Sequence, residues 1–239
     1  MEIFYSNNIA NEVIILDIFE TKHCIKVLRK KVGDSVNVVD GKGNLFVGNI
    51  ESYNNKHCYI KINKINKDYG EKDYYIHIAI SPIKNHDRTE WFIEKSVEIG
   101  IDEVSFINCN RTIRKKINID RLNKIAIIAM KQTLKAKIPK INPIMNVDNF
   151  IDTQSASNKF ICHLEEDIYK TIFDYKNEFK FNASSCIMIG PEGDFTIKEI
   201  NQSKKKNFLF LSLGTSRLRT ETAGVVACHL LNIIHNNYE

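Results

Sequence analysis

Apolar and polar positions change rhythm along this chain near residue 72. Before it, apolar residues come in short clusters at 13–16, 36–39, 45–47 and 58–62, with weak alternation in the second. The turn-forming run Asp40-Gly41-Lys42-Gly43-Asn44 separates the second cluster from the third. That pattern predicts a hairpin with a glycine-containing loop, joined by a third strand, as in a small β-barrel. Residues 23–31 read as a short helix ended by Gly33, and the polar stretch 66–73 around Gly70 as a linker.

Beyond the linker, strand-like and helix-like stretches alternate. Strands are expected at 75–81, 104–107, 160–164, 186–189 and 208–213. Helices are expected at 88–99, stopped by Gly100, at 119–136, ended before Pro139, and at 221–234. The last would place Ala223, Val226, Ala227, Leu230, Leu231 and Ile234 on one face. Alternation of this kind argues a mostly parallel α/β sheet. Two domains are therefore expected, 1–72 and 73–239.

Composition narrows the class. The 239 residues are 43% hydrophobic and 26% charged, which is ordinary globular usage and excludes a disordered or fibrous chain. No apolar run approaches the ~20 residues of a membrane span. The start Met1-Glu2-Ile3-Phe4-Tyr5 lacks the basic region and apolar core of a signal peptide, so a soluble, cytoplasmic protein is expected. The net charge of +5 is compatible with a polyanionic partner. Most lysines read as solvated surface, because Ile, Lys and Asn together dominate the chain, and the few arginines are more informative. Six cysteines are spread without any CxxC pair, as expected of free thiols. Adjacent pairs such as His23-Cys24 and Cys162-His163 point to opposite faces of a strand and cannot easily chelate one ion, so no metal is expected.

One design occurs twice: apolar strand, glycine-containing loop, helix. The first copy is Cys186–Ile189, then Gly190-Pro191-Glu192-Gly193-Asp194-Phe195, then a helix opened by a Thr196/Glu199 capping box and a Phe195/Ile200 hydrophobic staple. The second is 208–213, then Gly214-Thr215-Ser216-Arg217-Leu218-Arg219, then the last helix with Thr220 as N-cap. Loops at the carboxyl ends of strands in an open α/β sheet are where ligands bind. Neither loop is GxGxxG or GxxxxGK[ST], so dinucleotide and nucleoside-triphosphate signatures are missing. A nucleoside cofactor held by backbone groups remains open, and S-adenosylmethionine fits that description.

These residues carry a resemblance. Gly190 to Phe195, Leu213-Gly214 and Leu218-Arg219-Thr220-Glu221-Thr222-Ala223 resemble the ribosomal small-subunit methyltransferase E family, SPOUT enzymes that methylate N3 of one uridine in 16S rRNA. His23, Val27-Leu28-Arg29 and Gly33-Asp34 resemble its N-terminal motif; Arg88, Glu90-Trp91, Lys95, Glu98 and Gly100 resemble its first catalytic helix; and Gln132-Thr133 and Pro139 resemble the segment closing its long helix. Asp194 departs from the commonest family form, which has a second glycine there. The resemblance implies a PUA-like β-barrel, an α/β domain with a deep trefoil knot, and a homodimer.

It also implies a pocket for S-adenosylmethionine made by Leu164, Ile189, Gly190, Gly193, Leu213, Leu218, Thr220 and Ala223, with Pro191, Glu192, Gly214 and Glu221 beside them. Arg219 is the candidate catalytic residue, stabilising charge on the uracil ring or orienting the base. Its alternative is a salt bridge to Glu221 or Glu192. Either glutamate could accept the N3 proton or merely hold loop amides. Arg29, Lys30, Lys31, Lys42, Arg88, Arg111, Arg114, Lys115, Lys116 and Arg121 are candidate RNA contacts, whereas Trp91 is expected in the core. The expected partner is 16S rRNA or the small subunit. Alternatives are another rRNA or tRNA site, or a non-catalytic assembly factor.

Overall fold

The computed structural model describes residues 2–163 and 170–236. The chain forms two compact units, one of Met1–Glu71 with Ile127–Ile138 and the other of Lys72–Ala126 with Pro139–Glu239. In the first unit the strands are β1 (Ile3–Tyr5), β2 (Ile9–Ala10), β3 (Val13–Leu16), β4 (Ser35–Val39), β5 (Leu45–Tyr53) and β6 (Cys58–Asn66). They form one sheet in the order β1-β4-β5-β6-β3-β2, with β1 parallel to β4 and the remaining pairs antiparallel. Phe4, Ile14, Leu16, Val38, Ile50 and Ile60 are buried in its core. The expected hairpin and third strand are β4, β5 and β6. Strands β1 and β2 were not expected. The β2–β3 turn uses Asn11-Glu12, with φ of 48° and 64°, and so makes a left-handed two-residue turn without the Asn-Gly signature.

The helix expected over 23–31 is displaced. It begins as α1 (Ile18–Lys22), where the Asp17 carboxylate caps Phe19 and Glu20 N–H, and continues as a π-helical turn over His23–Val27. Arg29, with φ of 57°, ends it, and Lys30 N–H donates to Cys24 O at 3.1 Å. The left-handed terminator is thus an arginine and not Gly33.

The second unit alternates as expected. It contains β7 (Tyr75–Ile80), α2 (His86–Ile99), β8 (Glu103–Asn108), the first half of α3 (Ile119–Gln132, whose residues from Ile127 onward belong to the first unit), β9 (Lys140–Asn146), α4 (Val147–Thr153), β10 (Asn158–Cys162), β11 (Ser184–Ile189), α5 (Ile197–Lys205), β12 (Leu209–Phe210) and α6 (Thr220–Asn236). Its six strands are all parallel, in the order β12-β10-β11-β7-β8-β9. Ile78 and Ala79 of central β7 are both fully buried, as expected for a sheet covered on both faces. Ala79, Met188, Phe150, Phe195 and Ile200 share one apolar cluster with α4 and α5. On the other face α6 comes so close to α2 and β7 that a Cβ on Gly224 would lie 2.5 Å from the Phe92 ring and 3.0 Å from Ile80.

Three differences from expectation have local causes. Helix α3 stops at Gln132 because Leu134 turns left-handed, with φ of 56°. The following segment pairs with the hairpin loop, through Gly43 N–H to Ala136 O and Ile138 N–H to Gly41 O, both 3.0 Å. Residues 127–138, expected in the second domain, therefore belong to the first unit. Strand β9 and helix α4 were missed: Pro143 breaks the strand pattern, and is accommodated because β9 is an edge strand with a register shift opposite 105–107. Helix α6 begins at Thr220, and Ala223 N–H donates to Arg219 O, so Arg219 takes the N-cap position expected of Thr220.

Candidate functional site

At the carboxyl ends of β10, β11 and β12 the two glycine loops and the start of α6 enclose a cleft of about 740 Å³, within the range of small-molecule sites. Ile189, Gly190, Pro191, Glu192, Leu213, Gly214, Leu218, Arg219, Thr220, Glu221 and Ala223 all line it. Leu164 lies outside the described residues. Gly193 does not line the cleft: it faces Arg111, whose guanidinium donates to Gly193 O. Cys162, His163, Leu211, Ser212, Thr215, Ser216 and Arg217, with Asp194 of the first loop, also line it. For the residues of the two loop segments the neighbouring loop residues are the available signal; Cys162 and His163, at the end of β10, have none.

The local sequence builds this cradle. Thr196 and Glu199 form the expected capping box, and Phe195 and Ile200 share the buried cluster, so α5 starts rigidly behind the first loop. A Cβ on Gly190 would lie 3.0 Å from the Phe195 ring. The second loop is drawn in by Ser212 N–H to Lys170 O at 2.7 Å and Gly214 N–H to the Ser212 hydroxyl at 3.3 Å. Strand β12 is short and its last bond to β10 is Leu211 N–H to Ile161 O at 2.9 Å, so Ser212 and Leu213 leave the ladder and line the cleft. Thr220 Oγ1 donates to Gly190 O at 3.5 Å and links the start of α6 to the first loop.

Charge in the cleft is arranged unevenly. The Glu221 carboxylate is buried, with Arg88 Nε 3.5 Å away. The alternative salt bridge of Arg219 to Glu221 is thus replaced by one from Arg88, a residue expected at the RNA surface. Among the described residues the exposed Arg219 guanidinium has no hydrogen-bond or ion-pair partner. Asp194, left-handed with φ of 63°, accepts the Phe195 N–H and holds His163 Nδ1 at 2.8 Å. The Asp194 side chain therefore ties the end of β10 to the first loop.

The remaining basic candidates are dispersed. Arg114 is bound to Lys84 O, Lys116 O and the His86 ring, and Arg121 to the Glu90 carboxylate. Arg29 and Lys31 are exposed in the first unit, as is Lys42. Trp91 is 41% exposed on α2, contrary to the expected core position. Among the described residues no group of three or more His, Cys, Asp or Glu side chains could hold a metal ion, and no helix is long and apolar enough to cross a membrane.

Comparison with known proteins decides the family. Residues 70–232 match the RNA methyltransferase domain family, and residues 20–63 match the RNA methyltransferase PUA domain. The chain belongs to the ribosomal RNA small subunit methyltransferase E family. It is 30% identical to the family protein of Buchnera aphidicola over 92% of this chain and 88% of that one. Against a Borreliella burgdorferi relative the identity is 28%, over 96% and 94%. Among solved structures, one described as an rRNA methyltransferase of Porphyromonas gingivalis is 37% identical over the full length of both chains, with a TM-score of 0.91. A Legionella pneumophila methyltransferase, solved with S-adenosylmethionine bound, is 26% identical over 97% and 96%, with a TM-score of 0.82.

Proposed function

We propose that this protein transfers the methyl group of S-adenosylmethionine to N3 of one uridine in the 16S RNA of the small ribosomal subunit. One observation carries the reading most: both glycine loops and the start of α6 converge on one cleft, where the exposed Arg219 has no partner among the described residues. The cleft fits the cofactor chemically. Its floor at Gly190 and Gly214 has no side chain, so a flat heterocycle can approach the backbone closely there. Leu213, Leu218 and Ala223 supply apolar walls, and Glu192 offers a carboxylate for hydroxyl groups or a positive charge. The bound cofactor supplies a methyl group already activated by its sulfonium charge.

The chain's own residues then position the base and manage charge. Removing the uracil N3 proton spreads negative charge over O2 and O4. The Arg219 guanidinium, held at the N-terminus of α6, is free to donate to either oxygen. The helix start adds a positive partial charge on the same side. Glu192 is exposed at the cleft and able to accept the proton, whereas Glu221 is buried against Arg88 and fixes that arginine's position.

The same reading includes the family's trefoil knot, a homodimer and work in the cytoplasm. Half-buried Ala223, Val226, Leu230 and Ile233 along α6, with exposed Trp91 on α2, give an apolar face suited to a second copy. Sedimentation as a single 27.6 kDa species would contradict the dimer. The cofactor site is tested by calorimetry with Gly190→Val, whose Cβ would press on the Phe195 ring 3.0 Å away and push the first loop out of place. Binding of S-adenosylmethionine should weaken at least ~100-fold while circular dichroism stays native. Unchanged affinity would place the cofactor elsewhere.

A further inference from the structure

Between β8 and α3 runs a loop, residues 109–118, that presents one apolar side chain among cations. Ile113 is 69% exposed, and Arg111, Arg114, Lys115 and Lys116 surround it in sequence. A lone exposed isoleucine is ordinary on a protein surface. What distinguishes this one is how firmly its neighbours are held. Thr112, immediately before it, is buried, with its hydroxyl bonded to Ser81 Oγ at 2.8 Å and to Cys109 N–H at 2.9 Å. Asn110 N–H is fixed by the Glu199 carboxylate at 2.8 Å. Arg111 holds Gly193 O, and Arg114, immediately after Ile113, is bound to Lys84 O at 3.0 Å and Lys116 O at 2.8 Å. The loop is fastened on both sides of an exposed β-branched side chain, and the Arg111 bond joins it to the first glycine loop.

The reaction makes a demand that this loop meets. Uracil N3–H is the hydrogen-bond donor of the base's pairing edge, so N3 is reachable only when the base is unpaired and turned out of its stack. The vacated space must be filled, or the base returns. Proteins that open a base step insert rigid apolar side chains and hold the flanking phosphates with cations. Ile has one strongly restricted χ1 and little entropy to lose. Resting on the methyl-transfer reading above, we propose that Ile113 is the wedge that fills the gap left by the extruded uridine. Lys115 and Lys116 hold the phosphates on either side of it.

The test uses the full-length protein and an rRNA fragment containing the modified uridine, with 2-aminopurine as its 3′ neighbour. Binding of wild-type protein should raise the fluorescence as the neighbour unstacks. Ile113→Ala should abolish that rise and slow single-turnover methyl transfer roughly ten- to a hundredfold, as loss of a few kcal/mol of unstacking support implies. Affinity for S-adenosylmethionine should be unchanged and RNA affinity nearly so, while Ile113→Leu should keep both fluorescence and rate. Unchanged fluorescence and rate in Ile113→Ala would overturn the wedge. Wild-type protein that unstacks the RNA through Ile113 but transfers no methyl would overturn the transferase reading and leave the wedge standing.

Discussion

The two ends of the second unit's parallel sheet treat polar groups in opposite ways. At the amino ends of β7, β8 and β9 nearly every polar side chain is matched. Glu103 accepts from Tyr75 Oη at 3.0 Å, Asn142 at 2.6 Å and Lys140 at 3.1 Å. His77 meets Ser105 Oγ at 2.8 Å and Gln154 at 3.1 Å. At the carboxyl ends of β10, β11 and β12 the backbone leaves the ladder after Leu211, Asp194 turns left-handed, and Arg219 stays unpaired among the described residues. A satisfied buried network stabilises one arrangement, whereas unmatched donors in a cleft are free for a ligand. On the proposed function, the same sheet carries stability at one end and chemistry at the other.

That division is best broken by exchanging the two kinds of damage. The largest effect is expected from Arg219→Ala. Methyl transfer should fall ~100- to 1,000-fold, as for removal of one charge-stabilising donor. Melting temperature should stay within ~2 °C, since no folded-state partner is lost. Unchanged transfer in folded protein would remove Arg219 from the chemistry. At the opposite end, burial drives the His77 imidazole down to about 4. The unfolded chain therefore takes up a proton first, near pH 6.5. Stability is full above that pH and falls as pH drops from 6.5 to about 4, by as much as ~3 kcal/mol from this group. Burial pushes His235 the same way, to about 4, and adds to the slope. Urea midpoints measured across this window should decline, and a flat profile would contradict the buried neutral imidazoles. The smallest effect is expected from Glu103→Ala, which leaves Tyr75 and Lys140 without this acceptor and Asn142 with Ser105 Oγ alone. It should cost ~2 kcal/mol by chemical denaturation. Transfer per folded molecule should be unaltered, and its loss would mean that the two ends are coupled.

Legibility in the sequence follows the same division. The cleft was largely readable, because its parts lie in two short runs, 190–195 and 213–223, whose glycines and charges need no distant partner to be recognised. The capping box at Thr196 and Glu199 is a local signal and formed as expected. What escaped depends on partners far along the chain. Arg88 pairs with Glu221 across 133 positions (221 − 88), so its place in the cleft had no local mark. Edge strand β9 was hidden by Pro143, which only its edge position makes tolerable. Residues 127–138 continue a helical pattern without a break in composition, and only the left-handed Leu134 and the hydrogen bonds to Gly41 and Gly43 assign them to the first unit. Trp91 was expected inside on spacing alone, yet an apolar period does not say which side of a helix a partner will cover.

The central claim, that the carboxyl-end cleft methylates N3 of a single uridine in small-subunit RNA, is tested most directly by labelled methyl transfer. Purified protein, labelled S-adenosylmethionine and small subunits lacking this modification are incubated, and the RNA is then mapped by mass. The account predicts one label, on uridine N3, abolished by Gly190→Val and strongly reduced by Arg219→Ala. Label on another atom or another RNA, or no label from folded protein, would contradict it.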